Sequence, residues 1–422
     1  MADAAQTLTK AVFLLLWATV LAATPALAAS VPLELSDIIA IARGQAPGVA
    51  LAAARLREAK AGKVGTRLPA FTNPALSLTA GPGYSRPPKA DFEFMLSLQW
   101  PLDFTHGRTG RGQVADASIE QAKAAYAEAV REEVLAAVSL AIQIAVAKER
   151  YTLCAKRVEN DRELLRIAYV RHNAGTAADS DVELAKIALA QSEVLENYAL
   201  AEQKGHTVSL QFLLRTPFDE ELAVEPNFLA PLLSQSPQRS GSESLALQTF
   251  VDRRPDVRRA AATNRAAQAD VRLQDSLGVP LPSVTIASGR GPEYQLSAGI
   301  AAPIPIYQRN QTARSISQAH EKTTCLAAEI SKKAAEKQLR SQEITWESTA
   351  RAFAVMDRAF ADIMRAEYLA LRGFELGQDS LTQVLLSRRE TVQARSAYLD
   401  AKAAAAHALM SLQVSEGRFD ER

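Results

Sequence analysis

Charged and cap-forming side chains gather around two glycines in this sequence. One stretch reads Asn173-Ala174-Gly175-Thr176, with Asp179 and Asp181 just beyond it. The other reads Glu375-Leu376-Gly377-Gln378-Asp379-Ser380, with Arg372 before it and Arg388 after it. Glycine and capping residues in this order end one helix and start the next. The chemistry they offer is electrostatic: grouped carboxylates favour cations and resist anions, and arginines nearby offset their mutual repulsion. Solvated charges on an outer face are the plain alternative for each of them.

No covalent chemistry emerges elsewhere. The five histidines, His106, His172, His206, His320 and His407, include no pair at i+3 or i+4. Neither Cys-x-x-Cys nor His-Glu-x-x-His occurs, so no metal centre is expected. A nucleophile elbow and a phosphate-cradling loop are both lacking, which speaks against an enzyme and against a bound cofactor. His172 beside a helical turn could touch a metal ion in transit, though an exposed turn histidine is the ordinary case. Gly289-Arg290-Gly291 sits between two alternating segments and reads as a tight turn. The two cysteines, Cys154 and Cys325, fall inside helical patterns and are expected as buried free thiols. Lys+Arg 48 against Asp+Glu 47 leaves no basic footprint for nucleic acid.

What must position the charged turns is a duplicated plan. Residues 1–28 read as a cleaved signal peptide: Lys10, an apolar run from Ala11 to Ala23, then Ala26-Leu27-Ala28 before a mature start at Ala29. No cysteine follows that site, so a lipoprotein is not expected. Pro47-Gly48-Val49 and Pro255-Asp256-Val257 each open an alanine-rich helix that ends at Leu-Pro (Leu68-Pro69, Leu281-Pro282). A pair of alternating segments, a proline corner and two long helical segments follow in each half. The first repeat spans 29–215, with strands about 74–80 and 92–100 and a helical turn about 172–180. The second spans 251–414, with strands about 283–289 and 294–302 and a turn about 376–380. A Pro- and Ser-rich insertion, 216–250, joins them, and 415–422 is a tail.

The long segments carry apolar residues at heptad spacing: Val130, Val134, Ala137, Ala141 and Ile144, then Tyr151, Ala155, Val158, Leu165 and Tyr169, with Arg162 filling one step. No proline interrupts them between Pro101 and Pro217. At 1.5 Å per residue a helix from Gly107 to Arg171 reaches ~100 Å. No single compact core accommodates that length, so such helices must lie against other long helices. The short segments alternate with period two. Phe92, Phe94, Leu96, Leu98 and Trp100 form one face, and Glu93, Ser97 and Gln99 lie on the other. Four strands of this kind match a sheet with lipid on its apolar face and a watery lumen on its polar face.

Arg254-Pro255-Asp256-Val257, Leu281-Pro282, the proline corners and Phe374-Glu375-Leu376-Gly377 together resemble the TolC family of outer-membrane efflux proteins, with its heavy-metal (CzcC-like) branch as a candidate. The resemblance covers about 34–415 and rests on the order and duplication of weak motifs. It implies a mainly α chain with a membrane β-barrel, built as a homotrimer in the bacterial outer membrane. Each subunit would give four strands to one barrel and its helices to a periplasmic α-barrel. It also implies a passive conduit partnered by a periplasmic adaptor and an inner-membrane pump. Gly175, Thr176, Gly377 and Gln378 would then lie at the adaptor-facing tip. Asp179, Asp181, Glu375, Asp379, Arg372 and Arg388 would be candidate aperture charges, and three copies of any one acid would form a carboxylate ring. Outside that family, the alternative reading is a periplasmic coiled-coil adaptor or scaffold without a pore.

Overall fold

The computed structural model describes residues 33–68, 73–85, 89–104, 107–219, 222, 224, 228–234, 243–291 and 293–416. The signal peptide read over 1–28, the start at Ala29, Pro69, His106 and the tail beyond residue 416 lie outside these residues. In chain order the elements are helices α1 (Leu35–Gln45) and α2 (Pro47–Gly62), a short 3-10 turn (Val64–Arg67), and strands β1 (Ala75–Ser85) and β2 (Lys89–Pro101). The first long hairpin follows as α3 (Gly107–Asn173) and α4 (Asp179–Leu214). After α5 (Leu229–Ser234) and α6 (Glu243–Arg253) the plan repeats with α7 (Pro255–Leu277), β3 (Ser283–Arg290) and β4 (Tyr294–Ala301). The second long hairpin is α8 (Gln311–Glu375) and α9 (Leu381–Ser415).

Both repeat-opening helices place proline at their first turn, where its missing N–H costs nothing. They then solve the same capping problem differently. At α2 the free amide of Gly48 is taken by Glu133 of α3 at 3.0 Å. At α7 the Asp256 carboxylate accepts from the neighbouring Val257 amide at 3.0 Å.

The helices pack side by side in one layer. Nearer the sheet, α3 packs between α2 and α7, and α7 packs on α8; nearer the turns, α3 packs between α4 and α9, and α9 packs on α8. At mid-height a belt of α1 and α5 covers the layer. Ile38, Ala42 and Leu229 are buried there with Val134, Val138, Ala141, Leu214 and Leu409. A second apolar cluster near the turns joins both hairpins through Leu164, Ala168, Val182, Phe374, Leu381 and Val384.

The sheet is antiparallel throughout, in the order β1-β2-β3-β4. Strands β2 and β3 come from different repeats and pair from Phe94↔Arg290 to Pro101↔Ser283. The sheet therefore stitches the two repeats together.

Several boundaries move from the sequence reading. Strand β1 continues through Gly81-Pro82-Gly83, with Pro82 opposite Phe92; an outer strand of the sheet tolerates a residue that cannot donate. Gly289 and Arg290 are paired residues of β3, so the turn begins only at Gly291. A Cβ at Gly289 would collide with the Phe94 carbonyl oxygen, and close strand approach explains the glycine. Helix starts at residue 243, inside the stretch read as linker, and Val224 within it makes a parallel bridge to Leu33. Neither cysteine is fully buried: Cys154 is partly exposed and Cys325 exposed. The seam of α3 also shifts toward its end. Val158, Asp161, Leu164 and Ala168 are buried, whereas Tyr169 is exposed. A carboxylate occupying the seam disguised its course.

Candidate functional site

The two hairpin ends are closed by the same device. Gly175 and Gly377 have φ of +72° and +77°, a left-handed conformation open to glycine at little cost. The Gly175 amide donates to His172 O at 2.9 Å and the Thr176 amide to Arg171 O at 2.9 Å. In the second hairpin, Gly377 N donates to Phe374 O at 3.0 Å and Gln378 N to Gly373 O at 2.9 Å. These bonds satisfy the last carbonyls of each outgoing helix. The returning helices start under local control as well. Ser380 and Gln383 form a reciprocal capping box at α9, and Asp179 and Asp181 lie in the first turn of α4, where negative charge is favoured.

One residue joins the two ends. Arg171 of the first hairpin lies over the Phe374 ring of the second, 4.9 Å from its centroid. Its guanidinium also stands 2.8 Å from where a Cβ on Gly377 would sit. Around this contact the predicted charges are placed unequally. Asp179 is exposed and faces His172 Nε2 at 3.2 Å. Glu375 pairs with Arg372 at 2.7 Å, one turn away on the same helix. Asp379 packs its carboxylate against Gly373, where any side chain would collide.

Arg388 departs from the expectation. It is 4% exposed and pairs with Asp161, itself 1% exposed, in the seam between α9 and α3. Burial lowers the proton affinity of its guanidinium, and the Asp161 and Glu367 carboxylates oppose that fall. Arg388 is thus an interhelix tie set back from the tip, not a free aperture charge. The same band holds Arg157 Nε 3.5 Å from Asp161, Asn160 donating to Glu367 at 3.4 Å, and an Arg395–Glu367 ion pair. Sequence reasoning missed this band: the heptad pattern ran the seam through Arg162 and Leu165, one residue past the buried Asp161 and Leu164.

The motif at residues 254–257 is also an electrostatic joint. Arg254, 2% exposed, donates to both Asp256 oxygens at 3.0 and 2.7 Å and to Gln338 of α8 at 2.7 Å. It docks α7 onto α8. Burial pushes the Asp256 pKa up, but Arg254, the Arg131 charge and the Val257 amide pull harder, leaving it below the ordinary value.

On the sheet, Phe92, Phe94, Leu96, Leu98 and Trp100 share one face and are all exposed. The register places Leu76 and Leu78 of β1 and Ile286 of β3 beside them, and Leu296 and Ile300 of β4 extend the same face. Tyr294 at its margin is 79% exposed. Glu93, Ser97 and Gln99 lie on the other face, where Ser97 and Ser77 hydroxyls are 2.6 Å apart and Gln99 donates to Ser283 at 2.9 Å. An exposed apolar face backed by a polar one is stable where lipid covers the first and water the second. Among the described residues no three His, Cys, Asp or Glu side chains group as a metal site, and no helix is long and apolar enough to cross a membrane.

Known proteins share this architecture. The sequence model for "Outer membrane efflux protein" matches residues 38–214. The pyoverdine export outer membrane protein OpmQ of Pseudomonas aeruginosa is 26% identical over 319 residues, covering 68% of this chain and 65% of its own length, just under two thirds. Its Pseudomonas putida counterpart is 24% identical over 389 residues, covering 86% of this chain and 81% of its own length. Among solved structures, the outer-membrane channel OprN superposes with TM-score 0.75 at 19% identity, covering 91% of this chain and 89% of that one. CusC superposes with TM-score 0.74 at 16% identity, covering 92% of each chain. The open-state MtrE channel of Neisseria gonorrhoeae gives 0.72 at 15%, covering 91% and 88%. Residues 38–214 thus match the outer membrane efflux protein model, and the fold of the chain is that of the TolC-like outer-membrane channels.

Proposed function

We propose that this efflux-channel chain works as one of three identical subunits in the bacterial outer membrane, forming a passive conduit from periplasm to exterior. The observation that carries this reading is the four-stranded sheet with an exposed apolar face, whose β1 and β4 each have an outer edge without a partner strand among the described residues. Four strands cannot enclose a channel, and open sheet edges in lipid leave backbone groups unsatisfied, so closure must come from further copies. Strands β1 and β4 of neighbouring subunits would pair, and the helix layers would join into one tube below.

The hairpin ends would form the tip of that tube, with Gly175, Thr176, Gly377 and Gln378 presented to a periplasmic adaptor and, through it, an inner-membrane pump. Asp179, Asp181, Glu375 and Asp379 would set the sign of the field at entry, with Arg372 balancing Glu375. Phe92, Phe94, Leu96, Leu98 and Trp100 would face lipid, and Glu93, Ser97 and Gln99 the lumen. The relatives named for pyoverdine export support an organic small molecule as cargo, with metal ions as the second class. A pore-less adaptor is disfavoured, because such a protein has one helical hairpin, whereas here each of two hairpins follows its own strand pair.

The test is direct. Full-length protein purified from outer membranes should behave as a trimer by light scattering in detergent and conduct ions in a planar bilayer. Replacing Glu375 or Asp379 by Ala should lower its preference for cations. A water-soluble monomer without conductance would overturn the conduit.

A further inference from the structure

Nearer the sheet the helix layer carries a groove of about 790 Å³, lined jointly by α2, α3, α7 and α8. Its side of the wall follows from helix geometry. On α3 the groove is lined by Ser118, Gln121, Ala125, Glu128 and Glu132, a stripe in steps of three and four. At about 100° per residue that stripe lies roughly half a turn from Val134, Val138, Ala141 and Ala145, which are buried in the core shared with the α1 and α5 belt. The belt covers one side of the layer and the groove opens on the other. Four helices packed side by side can line one volume only where their layer curves around it, so the groove lies on the concave side. The groove therefore faces the lumen of the conduit proposed above.

Its charges are of two kinds. Glu128, 8% exposed, is paired with Arg259 at 2.9 Å, but its Oε2 accepts no hydrogen bond of good geometry. Burial raises the Glu128 pKa, and Arg259 only partly opposes this. These two side chains form a built wall. Arg55 on α2 and Glu132 on α3 are different: both line the groove, both are exposed, and neither has an ion pair or hydrogen bond among the described residues. Their charges are opposite, yet they stand too far apart to pair with each other. The rest of the lining is rich in alanine and includes Leu51.

We propose that this groove is a lumenal binding station for small solutes carrying both a cationic and an anionic group, with Glu132 taking the cation and Arg55 the anion. The inference rests on the conduit reading. A conduit needs such a station to be weak, since a solute held tightly does not leave. Two exposed charge contacts at opposite ends of the solute provide orientation with little affinity.

The test uses full-length protein in a planar bilayer, with the dipeptide Lys-Glu as probe and butylammonium and butyrate as single-charge controls. Wild type should show brief blockades whose frequency rises with dipeptide concentration, longer than those of either control. Glu132→Gln and Arg55→Gln should each shorten the dipeptide dwell by about three- to five-fold, the size of one exposed charge contact. Conducting pores without dipeptide blockade, or blockades equal to those of the controls, would overturn the station while leaving the conduit standing. Blockades unchanged in both variants would do the same. Absence of conductance would overturn both readings together.

Discussion

Arg388 and Asp161 show how much depends on a single pair in a helical wall. Each is buried, and each supplies the charge that makes burial of the other tolerable. Removing one partner leaves an uncompensated charge, which typically costs ~3–5 kcal/mol, whereas replacing both by apolar residues of similar volume is often neutral. Asp161→Ala should therefore lower the unfolding temperature of the purified protein markedly, and the double variant Asp161→Leu/Arg388→Met should recover most of the loss. Equal destabilisation in the single and double variants would argue against the pair. Asp256 makes a prediction in pH. Its folded pKa is depressed, so its contribution is present above the unfolded value near pH 4 and is lost as pH falls through the folded value. Acid unfolding below about pH 4 should flatten in Asp256→Asn, which at neutral pH should be less stable than wild type. At this scale the sequence was hard to read. Asp161 and Glu367 look like any surface acids until the partner helix is known, and helical period alone cannot say which charges meet.

Elements were far more legible, because period is local. Alternation located β2, β3 and β4 to within a few residues, and the glycines at 175 and 377 located both helical ends. What escaped were features set by neighbours: Gly81-Pro82-Gly83 remains strand because β2 holds it there, and Gly289 is fixed by the Phe94 carbonyl across the pair. Two predictions belong here. Gly377→Ala forces a non-glycine residue into a left-handed conformation, at a cost of about 1–2 kcal/mol, and its methyl displaces the Arg171 guanidinium from Phe374. Faster hydrogen exchange should follow over 372–384, confined to the hairpin ends. Phe94→Arg places a charge on the exposed apolar face, where a midplane Arg costs roughly 2–4 kcal/mol. It should block assembly in outer membranes, while Ser97→Arg on the polar face should assemble. Equal yields of the two in the membrane fraction would remove the sheet from the bilayer.

At the scale of the molecule, one long helix is left with little cover. Ile316, Leu326, Ile330 and Ile344 of α8 are each more than half exposed, as are Ile187, Tyr198 and Phe212 of α4 at the opposite margin of the layer. Two unsatisfied margins on one curved layer suit a closed ring, each α8 margin meeting the α2 and α4 margin of the next copy. Ile330→Glu with Leu326→Glu should then give a folded monomer in detergent, with helix content by circular dichroism near wild type. A trimer in that variant would place the contact elsewhere. The pairing of β2 with β3 also has a consequence in time. Gln99 bonds Ser283 across 184 residues of sequence, so the first strand pair must wait, with its inner edge bare, until nearly the whole first hairpin and the belt have been made. Contacts so distant along the chain form slowly, and a waiting edge is a template for wrong partners. The rate of maturation should accordingly depend on how fast the second repeat reaches the first. A linker lengthened near residue 240 should slow the appearance of assembled channel without changing its final stability.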